Sequence, residues 1–271
     1  MGLEMRALTA ILITLILSVA PARAGDLEDG ARFYHEKDFA NAKQSWQKAA
    51  AQGNAMAQFT LGFMHEKGQG TAVDYRQAAV WYRQAAERGN AAAQTNLGSL
   101  YERGQGVIQD NKQAVDWYQR AADQGTVVAQ FNLGRMYQTG QGIAQDYAQA
   151  ASWFRKAGEK GHTDAQSKLG LMYETGQGVA RDYQQAVDWY RKVAEAGDSR
   201  AQFDLGRIYE AGQEALAMDY VEAHMWWSIA ESSGEDRARR SRVQVERLMT
   251  PEQIVQARRR ADDWIKAHTK P

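Results

Sequence analysis

Apolar and polar positions follow a helical period along most of this chain. Ala57, Leu61, Met64 and His65 fall at i, i+4, i+7 and i+8, an arc of about 100° on a helical wheel. Positions 56, 59, 60, 63, 66 and 67 occupy the other side. The stripe then returns every 36 residues, since Ala57-Gln58 recurs as Ala93-Gln94, Ala129-Gln130, Ala165-Gln166 and Ala201-Gln202. Leu-Gly follows each time, at 61–62, 97–98, 133–134, 169–170 and 205–206. Five copies in phase mean stacked supersecondary units.

Each unit reads as two helices. Gly-Gln-Gly at Gly68, Gly104, Gly140 and Gly176 closes the first, its leading glycine serving as a left-handed C′ residue. The fifth copy reads Gly212-Gln213-Glu214 and its connection is one residue longer. Asp74, Asp110, Asp146, Asp182 and Asp219 are placed to cap the second helix. Gly62 and its equivalents sit inside the first helix, where glycine costs roughly 1 kcal/mol against alanine. The expected compensation is close approach of the second helix at its small residues Ala78, Ala114, Ala150, Ala186 and Ala223. The pairs Trp81-Tyr82, Trp117-Tyr118, Trp153-Phe154, Trp189-Tyr190 and Trp226-Trp227 are expected to fill the space between units.

Residues 25–53 form a shortened leading unit, in which Asp38, Phe39 and Trp46 keep the phase without the Gly-Gln-Gly connection. Residues 54–233 hold the five full repeats, and 234–271 a terminal cap of two helices. Thr250-Pro251-Glu252-Gln253 is a capping box with proline at the first helical position. Ile254, Ala261, Trp264 and Ile265 make the expected buried stripe of the last helix.

The Ala-Gln-x-x-Leu-Gly-x-x-Tyr, Gly-Gln-Gly and Ala-x-x-Trp-Tyr pattern resembles the Sel-one-like repeat family, a branch of the tetratricopeptide superfamily. The resemblance runs from roughly Leu27 to Ser233, and Met249 to Gln253 is similar to C-terminal ends in that family. It implies an all-α fold, a right-handed α-solenoid of stacked antiparallel helix pairs, and a role as protein–protein adaptor or scaffold. Exported bacterial relatives include components of exopolysaccharide export and periplasmic regulators of sensor kinases. His65 departs from the pattern, which has Tyr101, Tyr137, Tyr173 and Tyr209 at that position.

The N-terminus has another character. Arg6, the apolar run Ala7 to Ala20 and Ala22-Arg23-Ala24 make the charged, apolar and small-residue regions of a secretory signal over 1–24. A helix of that run spans roughly 21 Å, short of a bilayer core of about 30 Å. Cleavage leaves a protein starting at Gly25 with no stable membrane insertion, expected in the periplasm or secreted. The chain has 33 basic and 33 acidic residues and no cysteine, which excludes disulfide scaffolds and thiol chemistry and gives no reason to expect nucleic acid. The protein is expected to be monomeric.

Nothing in the chain reads as catalytic machinery. Gly-Gln-Gly follows a helix, whereas a dinucleotide fingerprint follows a strand and opens a helix. The five histidines show no metal-ligand spacing, and the recurring aspartates lie one per repeat, so neither a metal nor a cofactor is expected. The informative positions are those that vary. Phe59, Thr95, Phe131, Ser167 and Phe203 share one place on the first helix; Phe63, Ser99, Arg135, Leu171 and Arg207 share another. The resemblance assigns that face to a concave groove. Phe59, Phe63, Phe131, Arg135, Phe203 and Arg207 are therefore the expected contacts to a protein partner, for apolar side chains and carboxylates. A carbohydrate-associated component or regulator of an envelope exopolysaccharide system is the alternative. Residues 235–271, with ten Lys/Arg and six Asp/Glu, add a basic cap that could meet an acidic partner.

Overall fold

The computed structural model describes residues 24–212 and 216–268. The signal expected over 1–24, apart from its last residue, lies outside the described residues, as does Gln213-Glu214 of the fifth connection. Among the described residues the regular elements are fourteen α-helices. The leading pair is α1 (Ala24–His35) and α2 (Phe39–Ala51). The repeats supply α3 (Ala55–Lys67), α4 (Tyr75–Glu87), α5 (Ala91–Arg103), α6 (Asn111–Asp123), α7 (Val127–Thr139) and α8 (Tyr147–Glu159). They continue as α9 (Thr163–Thr175), α10 (Tyr183–Glu195), α11 (Ser199–Ala211) and α12 (Tyr220–Ser232). The cap is α13 (Asp236–Glu246) and α14 (Pro251–His268).

The chain forms two compact units whose division falls within α7. One holds the described residues up to Leu133 together with Gln141–Ile143; the other holds Gly134–Gly140 and everything from Ala144. In the first unit, helices from α1 to α6 pack on their neighbours in sequence. In the second, α8 to α13 do the same, and α14 packs back onto α12.

Helix ends form where the side chains dictate. Asp74, Asp110 and Asp146 each accept from two backbone N–H groups of the following turn, while Asp182 and Asp219 accept from one. Asn54, Asn90, His162 and Asp198 cap first helices in the same manner. Gly68, Gly104 and Gly176 close their helices at φ of 68°, 65° and 69°, left-handed values that glycine adopts without steric cost. The second glycine of each connection matters as much. A Cβ on Gly106 would stand 2.2 Å from the Tyr75 carbonyl, and one on Gly178 the same distance from that of Tyr147. The connection thus lies directly against the start of the previous unit's second helix.

The glycine inside the first helix does mark a close approach, but the intimate neighbour is an aromatic ring rather than an alanine. A Cβ on Gly98 would lie 2.9 Å from the Tyr118 ring; on Gly134, 2.8 Å from Phe154; on Gly170, 2.9 Å from Tyr190. The Ala114 and Ala150 carbonyls follow at 3.2 and 3.3 Å. The Trp-Tyr pair therefore splits. Its second ring closes its own unit, and its tryptophan joins a core shared with the preceding one: Trp81 packs on the cluster that holds Ala42 and Trp46, and Trp117 belongs to the cluster that holds Ala78 and Ala86.

A second tie joins successive units. Gln58, Gln94, Gln130, Gln166 and Gln202 donate to the carbonyls of Ala50, Ala86, Ala122, Gly158 and Ala194, at 2.8–3.2 Å. Those carbonyls end the preceding second helix, where intrahelical donors run out. Each carbonyl also accepts from the backbone N–H three residues on, at Gly53, Gly89, Gly125, Gly161 or Gly197, at 2.9–3.0 Å. The buried glutamine is thus a second donor that ties the end of one unit to the next, a bond worth about 1 kcal/mol.

The leading pair uses the same closure. A Cβ on Gly30 would meet the Trp46 ring at 2.4 Å, and Trp46 Nε1 donates to Leu27 O at 3.2 Å. In the cap, Thr250 N donates to Gln253 Oε1 and Gln253 N to Thr250 Oγ1, completing the capping box. Ala257 and Ala261 are the buried residues of α14; Ile254, Trp264 and Ile265 are half-buried. Trp264 meets Trp226 edge-on, ring centroids 6.0 Å apart.

Candidate partner-binding face

The varying positions lie on the first-helix side, and the structure assigns them unequal roles. Phe59, Phe63 and Phe131 belong to the first compact unit; Arg135, Phe203 and Arg207 belong to the second. Phe59 is only 7% exposed and packs on Tyr82 with centroids 5.8 Å apart, so its ring is committed to the unit's interior. Phe63 is half-buried against the cluster around Ala78 and Leu97, with Lys67 Nζ 5.7 Å from its ring centre. Phe131 and Arg135 are half-buried. Phe203 lies beside Trp227 at 6.4 Å and carries the Arg237 guanidinium 4.5 Å above its ring. Leu171, at the Phe63 position, is 45% exposed.

Arg207 was expected to await a partner's carboxylate. Instead Glu174 grips it in a two-pronged pair, Nη1–Oε1 at 2.7 Å and Nη2–Oε2 at 2.9 Å, with Asp204 at 3.6 Å. Burial lowers the tendency of Arg207 to hold its proton, but the Glu174 bond and charge outweigh this and raise its pKa. Burial pushes the Asp204 carboxyl up, against the pull of the Arg207 charge.

Glu174 belongs to a recurring element that the wheel did not reveal. The closing tyrosine of a unit donates its hydroxyl to a glutamate on its own first helix: Tyr82 to Glu66 at 2.7 Å, Tyr118 to Glu102 at 2.8 Å, Tyr190 to Glu174 at 3.1 Å. Burial and the adjacent carboxylate push the Tyr82 and Tyr190 phenols far above their ordinary range. The signal was present in the sequence as covariation. Where the ring lacks a hydroxyl, at Phe154, the glutamate becomes Gln138. In the fifth repeat Trp227 replaces the tyrosine, donates to Phe203 O at 3.2 Å, and leaves Glu210 without a phenol.

His65 stands where three of the repeats place a tyrosine bonded to an arginine. Tyr101 and Tyr209 each accept from an arginine of the preceding unit, Arg83 at 2.5 Å and Arg191 at 2.7 Å, and Tyr173 accepts from Arg155. Gln47 stands where that arginine would precede His65, whose Nδ1 is buried without a partner. Burial and Lys43 lower the His65 pKa, opposed by Asp74.

The basic cap is largely neutralised from within. Arg239 and Arg242 bind Glu231; Arg242, Arg258 and the buried His224 converge on Glu246; Arg237 binds Glu235 and Arg260 binds Glu222. Three of the repeat tryptophans offer no open stacking surface for a sugar. Trp117, Trp153 and Trp189 are 6–8% exposed, with Arg120, Lys156 and Lys192 poised 3.7–4.5 Å from their ring centres. Among the described residues no group of three His, Asp or Glu side chains is placed to hold a metal ion. None of the described helices is long and apolar enough to cross a membrane.

Comparison with known proteins agrees with this architecture. A family model described as Sel1 repeat matches six consecutive segments, 22–54, 55–90, 91–126, 127–162, 163–198 and 199–235, so the leading pair counts as a repeat in its own right. A crystal structure of a Sel1 repeat protein from Oxalobacter formigenes is 31% identical, with TM-score 0.72, over 88% of this chain and 96% of that one. Another, of a protective antigen present in uropathogenic Escherichia coli strains displaying an SLR fold, is 30% identical with TM-score 0.61. The match covers 90% of this chain and 60% of that one, so the chain spans less than two thirds of the antigen's length. No curated protein matches the sequence.

Proposed function

The chain belongs to the Sel1 repeat family, and from that premise we propose that it is an exported adaptor that binds a partner protein through its first-helix face. Sel1 repeat proteins generally mediate protein–protein interaction and are generally non-enzymatic. The observation that carries the reading is a division of labour. Residues common to the repeats, namely the glutamine, the internal glycine, the capping aspartate and the paired rings, are used up in caps and packing. The varying positions Phe63, Phe131, Arg135, Leu171, Phe203 and Arg207 keep solvent access. Side chains that differ from repeat to repeat and face outward are where a repeat protein can hold specificity. Arg6, the apolar run to Ala20 and Ala22-Arg23-Ala24 support export to the periplasm or beyond.

A photo-crosslinking residue placed at Leu171 or Arg135, in the cell that makes the protein, should yield a discrete adduct. The same residue at Val80, 48% exposed on α4, should not. Adducts from Val80 alone would move the binding surface to the second helices.

A further inference from the structure

Within the second unit the glutamate series comes to an end at Glu210, and that end has a definite chemistry. Glu174 is satisfied twice, by the Tyr190 hydroxyl of its own repeat and by Arg207 of the next. Glu210 is the equivalent residue one repeat later. Its phenol is replaced by Trp227, whose N–H is occupied by Phe203 O. Its arginine is missing as well. Asp198 caps α11 and Glu235 caps α13, so the residue nine beyond each cap is Arg207 in the first case and Gln244 in the second. Among the described residues Glu210 makes no hydrogen bond or ion pair, and it is half-buried. On the wheel Phe203, Arg207 and Glu210 share a stripe roughly 60° wide, on the face assigned to the partner.

We propose that Glu210 receives an arginine of the partner protein, in the two-pronged arrangement by which Glu174 holds Arg207. This rests on the first-helix reading above and names its specificity. A guanidinium fits the template because it is the group the chain itself uses there, and its planar fork matches a carboxylate where lysine offers a point charge. Five arginines of the cap are already tied to other carboxylates: Arg237, Arg239, Arg242, Arg258 and Arg260. Burial pushes the Glu210 carboxyl up, the sign of a charge that its surroundings do not compensate.

The probe is a set of random dodecamer peptides selected by phage display on the purified full chain, then synthesised and measured by fluorescence anisotropy. The expected binders contain arginine. They should weaken about tenfold on Glu210→Gln, and severalfold when their arginine is replaced by lysine. Gln244→Arg supplies the guanidinium within the chain, and should weaken the peptides while raising the melting midpoint. Circular dichroism of Glu210→Gln should match that of the original protein. Binders that are lost on Leu171→Asp but ignore Glu210→Gln overturn this inference and leave the first-helix reading standing. Binders indifferent to both substitutions overturn both. A dimer seen by sedimentation that dissociates on Glu210→Gln assigns the arginine to a second copy, and also overturns the proposal.

Discussion

The second and fifth repeats are built on one plan and differ in what closes them. In the second, the Tyr118 ring fills the space left by Gly98 and its hydroxyl reaches Glu102. In the fifth, Trp227 fills the space left by Gly206, and its N–H turns instead to the Phe203 carbonyl. The leading pair matches the fifth repeat: Trp46 over Gly30, with its N–H on Leu27 O, three residues before the glycine. The first, second and fourth full repeats thus spend the hydroxyl of their closing ring on a half-buried carboxylate, and the terminal ones turn the ring's N–H to backbone. The glycine-to-ring closure is the constant of the architecture, while the polar contact at the ring's far end changes with position in the array.

The largest test of that distinction attacks the constant. Gly98→Leu, Gly134→Leu and Gly206→Leu should each lower stability by about 3 kcal/mol or more, since a Cβ alone would lie 2.5–2.9 Å from ring atoms. Melting followed by circular dichroism checks this. If Gly206→Leu were tolerated while Gly98→Leu was not, the terminal closure would differ in kind and not merely in its polar contact.

Much of this plan was legible before any coordinates. Helix pairs, aspartate caps and left-handed glycines are local, and period and turn chemistry specify them. What a shared residue touches is not local. The period marked Gly62 and Gln58 as important, yet could not say that the glycine faces Tyr82 or that the glutamine serves Ala50 of the previous unit. Gly30 escaped notice because the leading connection is shorter and breaks the alignment on Gly-Gln-Gly. The face was also only half legible. A wheel shows that Arg207 points away from its own core, but not that Glu174, thirty-three residues earlier, is waiting for it.

A middle-sized effect separates the terminal cap from the repeats. Burial pushes Glu246 up, but hydrogen bonds from His224 and Arg258 and the Arg242 charge outweigh it and hold the carboxyl at about 2. A depressed carboxyl contributes stability that is present above its ordinary pKa near 4.5 and lost as pH falls towards 2. Burial lowers the His224 pKa, so its neutral ring adds a loss in the same direction as pH falls below 6.5. Glu246→Gln should therefore cost about 2–3 kcal/mol at pH 7 and much less near pH 2.5, read by urea unfolding at the two pH values. Equal losses at both would show that Glu246 supports the cap by shape and not by charge.

The smallest effect addresses the polar contact itself. Tyr118→Phe leaves the ring over Gly98 and removes only the hydroxyl, so the expected loss is about 1 kcal/mol, that of one hydrogen bond to a charged acceptor partly replaced by water. The third repeat already carries the corresponding pair, Phe154 with Gln138, which shows that the array accommodates it. Tyr118→Phe combined with Glu102→Gln recreates that pair in the second repeat. If hydroxyl and carboxylate act together, the double variant should lose less than the sum of the singles, by about 0.5–1 kcal/mol in a urea double-mutant cycle. Strict additivity would mean that the tyrosine is retained for its ring alone. The difference between interior and terminal repeats would then reduce to the size of the closing side chain, and the missing phenol would no longer set Glu210 apart.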